Sequence, residues 1–173
     1  MILTRTPLRI GLLGGGTDLP EFYSSQKCLI FGGSINKYVY VISNKLSKFS
    51  QERYRFTYRN TESVEEIEQF KHPVTREALK MYQQIDSINL ATMSDIPGGT
   101  GLGSSSAFTV GLIKNLDSVI NIQKDPMELA REAIFLERNI LRESGGVQDQ
   151  MYSSVGGLRF YNLYENEIMT SLS

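Results

Sequence analysis

The sequence has few of the residues on which several common protein chemistries depend. Its 173 residues include one cysteine, Cys28, one histidine, His72, and no tryptophan. A lone cysteine excludes an internal disulfide and is typical of a reducing compartment, so we expect a cytoplasmic protein. One cysteine and one histidine cannot make a Cys/His zinc cluster, and we expect no conventional Ser-His-Asp triad. Carboxylates, hydroxyls, glycines, lysines and arginines are left to carry any chemistry.

An excess of one charge and a long apolar run are also missing. Eighteen Lys and Arg residues stand against 19 Asp and Glu residues, which gives a formal net charge of −1. The basic footprint of a nucleic-acid-binding protein is therefore absent. No apolar run approaches the roughly 18–20 residues of a membrane span, and residues 1–16 lack the apolar core and cleavage site of a signal peptide. We expect one soluble domain over residues 1–173, with no nucleic-acid or membrane partner.

The spacing of apolar residues and glycines predicts an α+β domain of four or five strands and three helices. Residues 62–69, which are acidic, are predicted to form a solvated helix or turn. Asp125 and Glu128 form a capping box at the start of the last helix, which ends before the glycine pair at 145–146. Strands are predicted over residues 1–13, 35–42, 53–58, 88–93 and 157–163, and helices over residues 74–85, 105–120 and 126–140.

The segment PGGTGLGSSSA, residues 97–107, is the strongest candidate for chemistry. Glycines let backbone N–H groups converge on an anion, and the helix that follows adds its own unpaired N–H groups. The segment therefore predicts a phosphate site, with the hydroxyls of Ser104–Ser106 available to phosphate or to a metal ion. It fits neither common nucleotide motif, because Ser104 stands where a Walker loop needs lysine and the glycine spacing differs from the dinucleotide motif. The alternative is a plain glycine turn between a strand and a helix.

A second cluster is TPLRIGLLGGGTD, which ends at Asp18. Arg9 lies in an apolar strand pattern and can face a negative charge, while Asp18 follows a glycine turn and can face sugar hydroxyls. The alternative is that Arg9 lies on a solvated strand face and that Asp18 caps a turn. The residues alone leave both interpretations open.

A third cluster is ERNILRESGGVQDQ, which begins at Glu137. Glu137 is predicted on a helix and Asp149 in a tight loop after the glycine pair. Two carboxylates on either side of a glycine turn suit a magnesium ligand and a general base. The alternative is that both are ordinary surface residues.

Taken in order, the three clusters resemble the motifs of the GHMP superfamily of small-molecule kinases. TPLRIGLLGGGTD is similar to the first motif of that family, PGGTGLGSSSA to its phosphate loop, and GGVQDQ to its catalytic segment. The GGGTD variant, with GGSINKYVYV, more closely resembles the branch of D-glycero-D-manno-heptose 7-phosphate kinases, with fucose kinases nearby. The resemblance covers essentially the whole chain. It implies the N-terminal, ATP-binding GHMP domain, a ribosomal protein S5 domain 2-like fold with a mixed sheet and helices packed on one face.

The resemblance also implies a role for each motif residue. The phosphates of ATP would be bound by Pro97, Gly98, Gly99, Thr100, Gly101, Leu102, Gly103, Ser104 and Ser105. Ser105 and Glu137 would hold Mg²⁺. Asp149 would accept the proton of the sugar hydroxyl, with Arg9 beside it and the γ-phosphate. The sugar would contact Asp18, Gly15, Gly16 and Gly146. Residues 50–85 remain, by elimination, for the wall of an adenine pocket.

The reaction implied by the resemblance is ATP-dependent phosphorylation of the anomeric hydroxyl of a heptose 7-phosphate. Such a step serves capsule or lipopolysaccharide biosynthesis. Another sugar, such as fucose or galactose, is the near alternative. Galactokinases carry Glu-His where this chain has Gly15-Gly16, which disfavours galactose and leaves room for a longer or phosphorylated sugar. The second glycine-rich motif of the family has no counterpart here. We therefore expect a fragment, a second half supplied in cis or in trans, or a decayed gene whose product is a non-catalytic module.

Overall fold

Seven strands and five α-helices make up the part of the chain that the computed structural model describes, residues 1–47, 49–164 and 167–171. A 3₁₀ turn at Ile67–Gln69 and a π-helical segment at Phe135–Ile140 complete it. The strands are β1 Ile2–Leu13, β2 Cys28–Asn44, β3 Tyr54–Thr57, β4 Thr61–Val64, β5 Ile88–Ser94, β6 Leu158–Tyr164 and β7 Glu167–Ser171. The helices are α1 Pro20–Tyr23, α2 Pro73–Met81, α3 Ser104–Val119, α4 Pro126–Ile134 and α5 Gln148–Val155.

All seven strands belong to one mixed sheet built around the long strand β2. β1 runs antiparallel along one side of β2. On the other side, residues 39–44 pair with β5 and residues 28–33 pair with β6, so β2 joins the two ends of the sheet. β3 pairs with β5 in parallel, and the other pairs are antiparallel. β1 therefore lies beside the centre of the sheet, and its second half carries Arg9.

Helix α3 docks on β1 at short range because residue 111 is glycine. A Cβ at Gly111 would lie 2.7 Å from Thr6 Oγ1, and the Thr4 hydroxyl donates a hydrogen bond of 2.9 Å to the Gly111 carbonyl. Along β1, Thr4, Thr6 and Leu8 are buried towards α3, whereas Leu3 and Arg5 are exposed on the opposite face. This docking fixes the amino end of α3, and the glycine-rich segment before it, over β1.

The structure confirms the α+β class and the mixed sheet with helices on one face. Five predicted strands and three predicted helices are found at the expected places, although β2 begins earlier than predicted, at Cys28. The predicted capping box is also confirmed, since the Asp125 carboxylate accepts the N–H groups of Met127 and Glu128 at 2.8 and 3.0 Å. Among the helices described here, none is long and apolar enough to cross a membrane.

Two predictions about individual elements are wrong, and a third is refined. Residues 62–69 are not a helix: β4 forms a hairpin with β3, in which Glu62 accepts the Tyr58 hydroxyl at 2.9 Å, and a 3₁₀ turn follows. The helix over 126–140 is not uniform, since it changes to π geometry at Phe135. Asp149 does not lie in a tight loop but in the first turn of α5. That helix was missed because its polar start, QDQ, follows the glycine pair after a single residue, Val147.

Candidate active site

Arg9 on β1 and Asp149 on α5 form a bidentate ion pair. Nε and Nη2 of Arg9 donate to the two carboxylate oxygens of Asp149 at 2.7 and 2.6 Å. The third guanidinium nitrogen, Nη1, donates to the carbonyl of Gly101 at 2.7 Å. The side chains are only 15% and 25% exposed. Arg9 thus joins a carboxylate to the glycine-rich segment in one planar group, an arrangement for which the guanidinium fork is suited.

The environment of Asp149 makes its carboxylate a stronger base than usual. Burial raises the pKa of Asp149, and the nearby charge of Asp18 raises it further, whereas Arg9 acts in the opposite direction. Burial is the largest of these effects. A carboxyl with a raised pKa that still faces a guanidinium is typical of a group that accepts a proton during a reaction.

The glycine-rich segment is held against β1 by the backbone as well as by the Arg9 side chain. The Arg9 N–H donates to the Leu102 carbonyl at 3.1 Å. Gly103 is the residue before α3 and has a left-handed backbone, with φ +71°. A Cβ there would lie 3.2 Å from Asp149 Oδ2 and 3.1 Å from Arg9 Cγ. The loop therefore approaches the ion pair as closely as a glycine allows, and the amino end of α3, which no described side chain caps, opens beside it.

Glu137 lies in the π-helical segment and is buried, with 4% of its surface exposed. Its Oε2 accepts the Ser106 hydroxyl at 2.9 Å and the side-chain amide of Gln150. Its Oε1 is buried and has no hydrogen-bond partner among the described residues. Burial raises the pKa of Glu137, against the hydrogen bonds that it receives. A buried carboxylate oxygen without a partner fits the donor set of a hard cation such as Mg²⁺.

The serine that bonds to Glu137 is Ser106, whereas Ser105 lines the neighbouring pocket. Among the residues that the structure describes, no three His, Cys, Asp or Glu side chains gather as a metal site. A site built on Glu137 would thus have fewer than three such side chains, and a serine hydroxyl and phosphate oxygens would complete it, as is common for Mg²⁺ with nucleotides.

Asp18 is the most enclosed of the residues that were predicted to contact the sugar. It is 2% exposed, and its carboxylate accepts the N–H groups of Gly16 at 3.2 Å and of Gln148 at 3.1 Å. Gly15 and Gly16 are open: a Cβ on either would meet no described atom within 4 Å. Gly146, by contrast, packs directly against Asp18.

A pocket of about 660 Å³ opens beside the glycine-rich segment. Gly98, Gly99, Ser104 and Ser105 line one side of it, and the rings of Tyr58, His72 and Phe108 line the other. The His72 ring lies edge-on to those of Tyr58 and Phe108, with centroid distances of 5.1 and 5.4 Å. Its Nδ1 accepts the Thr75 N–H at 3.3 Å, and burial lowers the pKa of His72, so the neutral ring carries its proton on Nε2. Aromatic walls with one donor suit a planar heterocycle.

The profile of the GHMP kinases N terminal domain matches residues 70–157, which include the glycine-rich segment, Glu137 and Asp149. The chain belongs to the GHMP kinase family. The family resemblance inferred from the three clusters is thereby confirmed.

Individual GHMP kinases are similar to this chain over most of its length. A D-glycero-alpha-D-manno-heptose 7-phosphate kinase of Campylobacter jejuni is 33% identical over 178 residues, which cover 96% of this chain and 52% of that protein. A galactokinase of Pyrococcus furiosus is 25% identical and covers 86% of this chain and 42% of its own length. The crystal structure of a D-glycero-D-manno-heptose 1-phosphate kinase from Bacteroides thetaiotaomicron superposes with a TM-score of 0.88 at 26% identity, over 100% of this chain and 60% of that one. The chain thus spans about half the length of such relatives.

The GHMP motifs predicted from the sequence meet at one place in the fold. Arg9, Asp149 and the glycine-rich segment are in contact, and Asp18 lies behind the start of α5. Sequence reasoning missed Gln150, and it assigned the Ser106 hydroxyl to phosphate or a metal ion, whereas in the structure both residues bond to Glu137. Gln150 follows Asp149 directly, but its orientation could be anticipated only once α5 was recognised as a helix, because adjacent helical residues point to different sides.

Proposed function

We propose that this GHMP domain is the ATP-binding part of a cytoplasmic kinase that phosphorylates the anomeric hydroxyl of D-glycero-D-manno-heptose 7-phosphate. The observation that carries the proposal is the Arg9 guanidinium, which bonds both the Asp149 carboxylate and the Gly101 carbonyl. It holds a candidate base and a positive charge at the edge of a candidate phosphate loop. Phosphoryl transfer needs little else from a protein than in-line positioning and charge neutralisation.

In the proposed reaction the anomeric oxygen attacks the γ-phosphorus of ATP. A bond forms between that oxygen and phosphorus, the bond from phosphorus to the β–γ bridging oxygen breaks, and ADP leaves. The proton of the hydroxyl goes to the Asp149 carboxylate, whose raised pKa favours this transfer. An anomeric hydroxyl is more acidic than an ordinary alcohol, so a carboxylate base suffices. Arg9 stabilises the negative charge on the transferring group and keeps the carboxylate oriented.

The nucleotide is proposed to lie along residues 97–105, with its base in the pocket of Tyr58, His72 and Phe108. This pocket falls partly within residues 50–85, which the sequence left for the adenine wall, and Gly98 and Gly99 connect it to the loop. The free Oε1 of Glu137 and the Ser105 hydroxyl are the proposed ligands of Mg²⁺. When bound, Mg²⁺ would neutralise phosphate charge.

The heptose is proposed to lie over the Gly14–Gly16 turn, next to Asp149. Open space at Gly15 and Gly16 supports a sugar larger than galactose, and the names of the Campylobacter and Bacteroides relatives support a heptose phosphate. Those names differ in the position of the phosphate, so the acceptor hydroxyl is the point to test. Residues equivalent to the remaining half of these relatives, supplied in cis or in trans, are proposed to complete the site.

The decisive experiment measures ATP-dependent turnover of the native protein with a panel of acceptors. We expect the highest kcat/KM with the heptose 7-phosphate, lower values with the heptose 1-phosphate, fucose and galactose, and a product with a new anomeric phosphate by phosphorus NMR. Asp149→Asn is expected to lower kcat by about 10²–10⁴-fold without loss of ATP binding. The control Asp86→Asn, at an exposed position just before β5 and so at the opposite end of that strand from the loop, should leave turnover unchanged. A preference for another sugar, or near wild-type kcat in Asp149→Asn, would overturn the corresponding part of the proposal.

A further inference from the structure

Arg138 is a largely enclosed cation beside the glycine pair that leads into α5. It lies in the same π-helical segment as Glu137, and its side chain is only 14% exposed. Nη1 donates to the carbonyl of Gly145, and Nη2 donates to Glu21 Oε1 at 2.8 Å. Burial of the side chain and the bond to a backbone carbonyl hold the guanidinium in place. The part of the group whose partner can exchange is therefore Nη2.

The partner of Nη2 is a weakly held carboxylate. Glu21 lies in the first turn of α1, and its side chain is 72% exposed. An ion pair with so exposed a partner contributes little, because water and salt screen it and the glutamate loses rotamer freedom. A phosphate group carries more charge than a carboxylate, and it meets the guanidinium fork with two parallel hydrogen bonds. Arg138 is thus paired with an anion that a phosphate group can replace.

Arg138 is close to the turn over which the sugar is proposed to lie. Gly145, its backbone partner, precedes Gly146, which packs directly against Asp18. Burial raises the pKa of Tyr23 on α1, the charge of Arg138 lowers it, and the charge of Asp18 raises it. The two charges therefore act on the same phenol. A phosphate group bound at Arg138 would lie beside the sugar.

Open space lies over both of these turns. A Cβ at Gly15, Gly16 or Gly145 would meet no described atom within 4 Å. In the pyranose form of a heptose 7-phosphate, C6 and C7 carry the phosphate beyond the ring. An acceptor whose anomeric oxygen lies at Asp149 therefore needs a cation past the edge of its ring. Arg9 is already bonded to Asp149, so a different guanidinium must meet the phosphate.

We propose that Arg138 binds the phosphate group of the sugar-phosphate acceptor, and that Glu21 occupies this position in the ligand-free protein. The proposal rests on the kinase function proposed above and names a residue that distinguishes a phosphorylated sugar from an unphosphorylated one. It is compatible with a sugar contact at Asp18, because that carboxylate has about four lone-pair sites and gives two of them to the N–H groups of Gly16 and Gln148.

Steady-state kinetics with paired acceptors tests the assignment. The native protein is assayed with the heptose 7-phosphate and with the same heptose without its phosphate. Arg138→Met is expected to raise the KM for the heptose 7-phosphate by about tenfold or more, while the KM values for the unphosphorylated heptose and for ATP stay within about twofold. Arg138→Lys keeps the charge without the fork, should give an intermediate KM, and serves if Arg138→Met does not fold. Arg131→Met, at an exposed arginine of α4, is the matched control.

Glu21→Gln should give a result of opposite sign. Removal of the competing carboxylate is expected to lower the KM for the heptose 7-phosphate by about threefold and to leave that for the unphosphorylated heptose unchanged. The control Asp86→Asn also removes an exposed negative charge and should change neither. A KM raised equally for both acceptors in Arg138→Met would mean that Arg138 only supports the turn before α5, and a raised KM for ATP would assign it to the nucleotide. Either result overturns the proposal.

Calorimetry separates this proposal from the kinase function, because it needs no turnover. The native protein, saturated with a non-hydrolysable ATP analogue, is titrated with the heptose 7-phosphate. We expect Arg138→Met to raise the Kd by about tenfold or more and Glu21→Gln to lower it. If the wild type phosphorylates no sugar, the kinase function fails, and the Kd values still decide whether Arg138 holds the phosphate group. Equal Kd values in wild type and Arg138→Met, or no binding by the wild type, would refute the assignment.

Discussion

Replacing Arg9 by methionine tests the ion pair at the centre of the site. The variant keeps the length and apolar stem of the side chain but removes the guanidinium, with its two bonds to Asp149 and its bond to the Gly101 carbonyl. Asp149 is left as a largely enclosed carboxylate that faces Asp18 without its compensating cation. We therefore expect both the stability of the fold and the rate of catalysis to fall.

The size of the stability loss follows from burial. Removing one partner of a fully buried pair costs about 3–5 kcal/mol, because the remaining charge has lost its partner. Here the two side chains are 15% and 25% exposed, so water can replace part of the interaction. We expect the free energy of unfolding at pH 7 to fall by about 2–3 kcal/mol. Loss of the positive charge beside the transferring group should lower kcat by about 10²–10³-fold.

The pH dependence gives a second signature of the same variant. Burial already raises the pKa of Asp149, and without Arg9 the pKa rises further. A carboxyl with a raised pKa in the folded state contributes stability that is fully present below its unfolded pKa and is lost as pH rises through its folded pKa. The difference in stability between wild type and Arg9→Met should therefore be largest at pH 7. It should shrink as pH falls towards the ordinary aspartate value of about 3.9.

Urea denaturation followed by circular dichroism, at several pH values, measures both effects. The matched control is Arg5→Met on the same strand, because Arg5 lies on the exposed face and stacks over the Tyr38 ring at 4.4 Å. That contact is worth about 0.5–1 kcal/mol. If Arg9→Met destabilises no more than Arg5→Met, or if its deficit grows as pH falls, the reasoning about the ion pair is wrong.

Three further predictions concern single residues. In Gly103→Ala the new Cβ lies 3.2 Å from Asp149 Oδ2, on a left-handed backbone that costs an L-residue about 1–2 kcal/mol. Urea denaturation should show a loss of stability of about that size, while the control Gly145→Ala changes stability by less than about 0.5 kcal/mol. Because burial lowers the pKa of His72, wild type should lose stability as pH falls below about 6.5, and His72→Asn, which can still cap α2, should flatten that loss in thermal melts. Asp125→Ala should cost about 1 kcal/mol in denaturant unfolding, through loss of the α4 cap.

The parts of the site that depend on local sequence were predictable. The glycines and serines of residues 97–107 indicated a loop that leads into a helix, and Asp125 with Pro126 located the start of α4 within one residue. Such signals are local because backbone freedom, capping and dipoles act within one turn of the chain. The order of the three clusters then indicated the family.

The parts that depend on distant pairs were not predictable from one sequence. Whether Arg9 lay on a solvated face or opposite a charge depended on Asp149, which is 140 positions away. Whether Glu137 was a surface residue depended on Ser106 and Gln150, which bond to its buried carboxylate. Gly146 gave a turn signal, yet its reason is the Asp18 carboxylate. Each of these depends on how α3 and α5 dock on the sheet, and short-range patterns do not carry that information.

The neighbouring positions of Asp149 and Gln150 on α5 have a consequence for how the site can change. Asp149 bonds Arg9 on one side of the helix, and Gln150 bonds Glu137 on the other. A tilt of α5 by a few degrees would displace both residues at once. Asp149, the proposed proton acceptor, and Gln150, which bonds the proposed cation ligand Glu137, would therefore move together. Altering the preferred sugar by design is therefore best attempted at Gly15, where space is open and φ is not left-handed, with α5 left untouched.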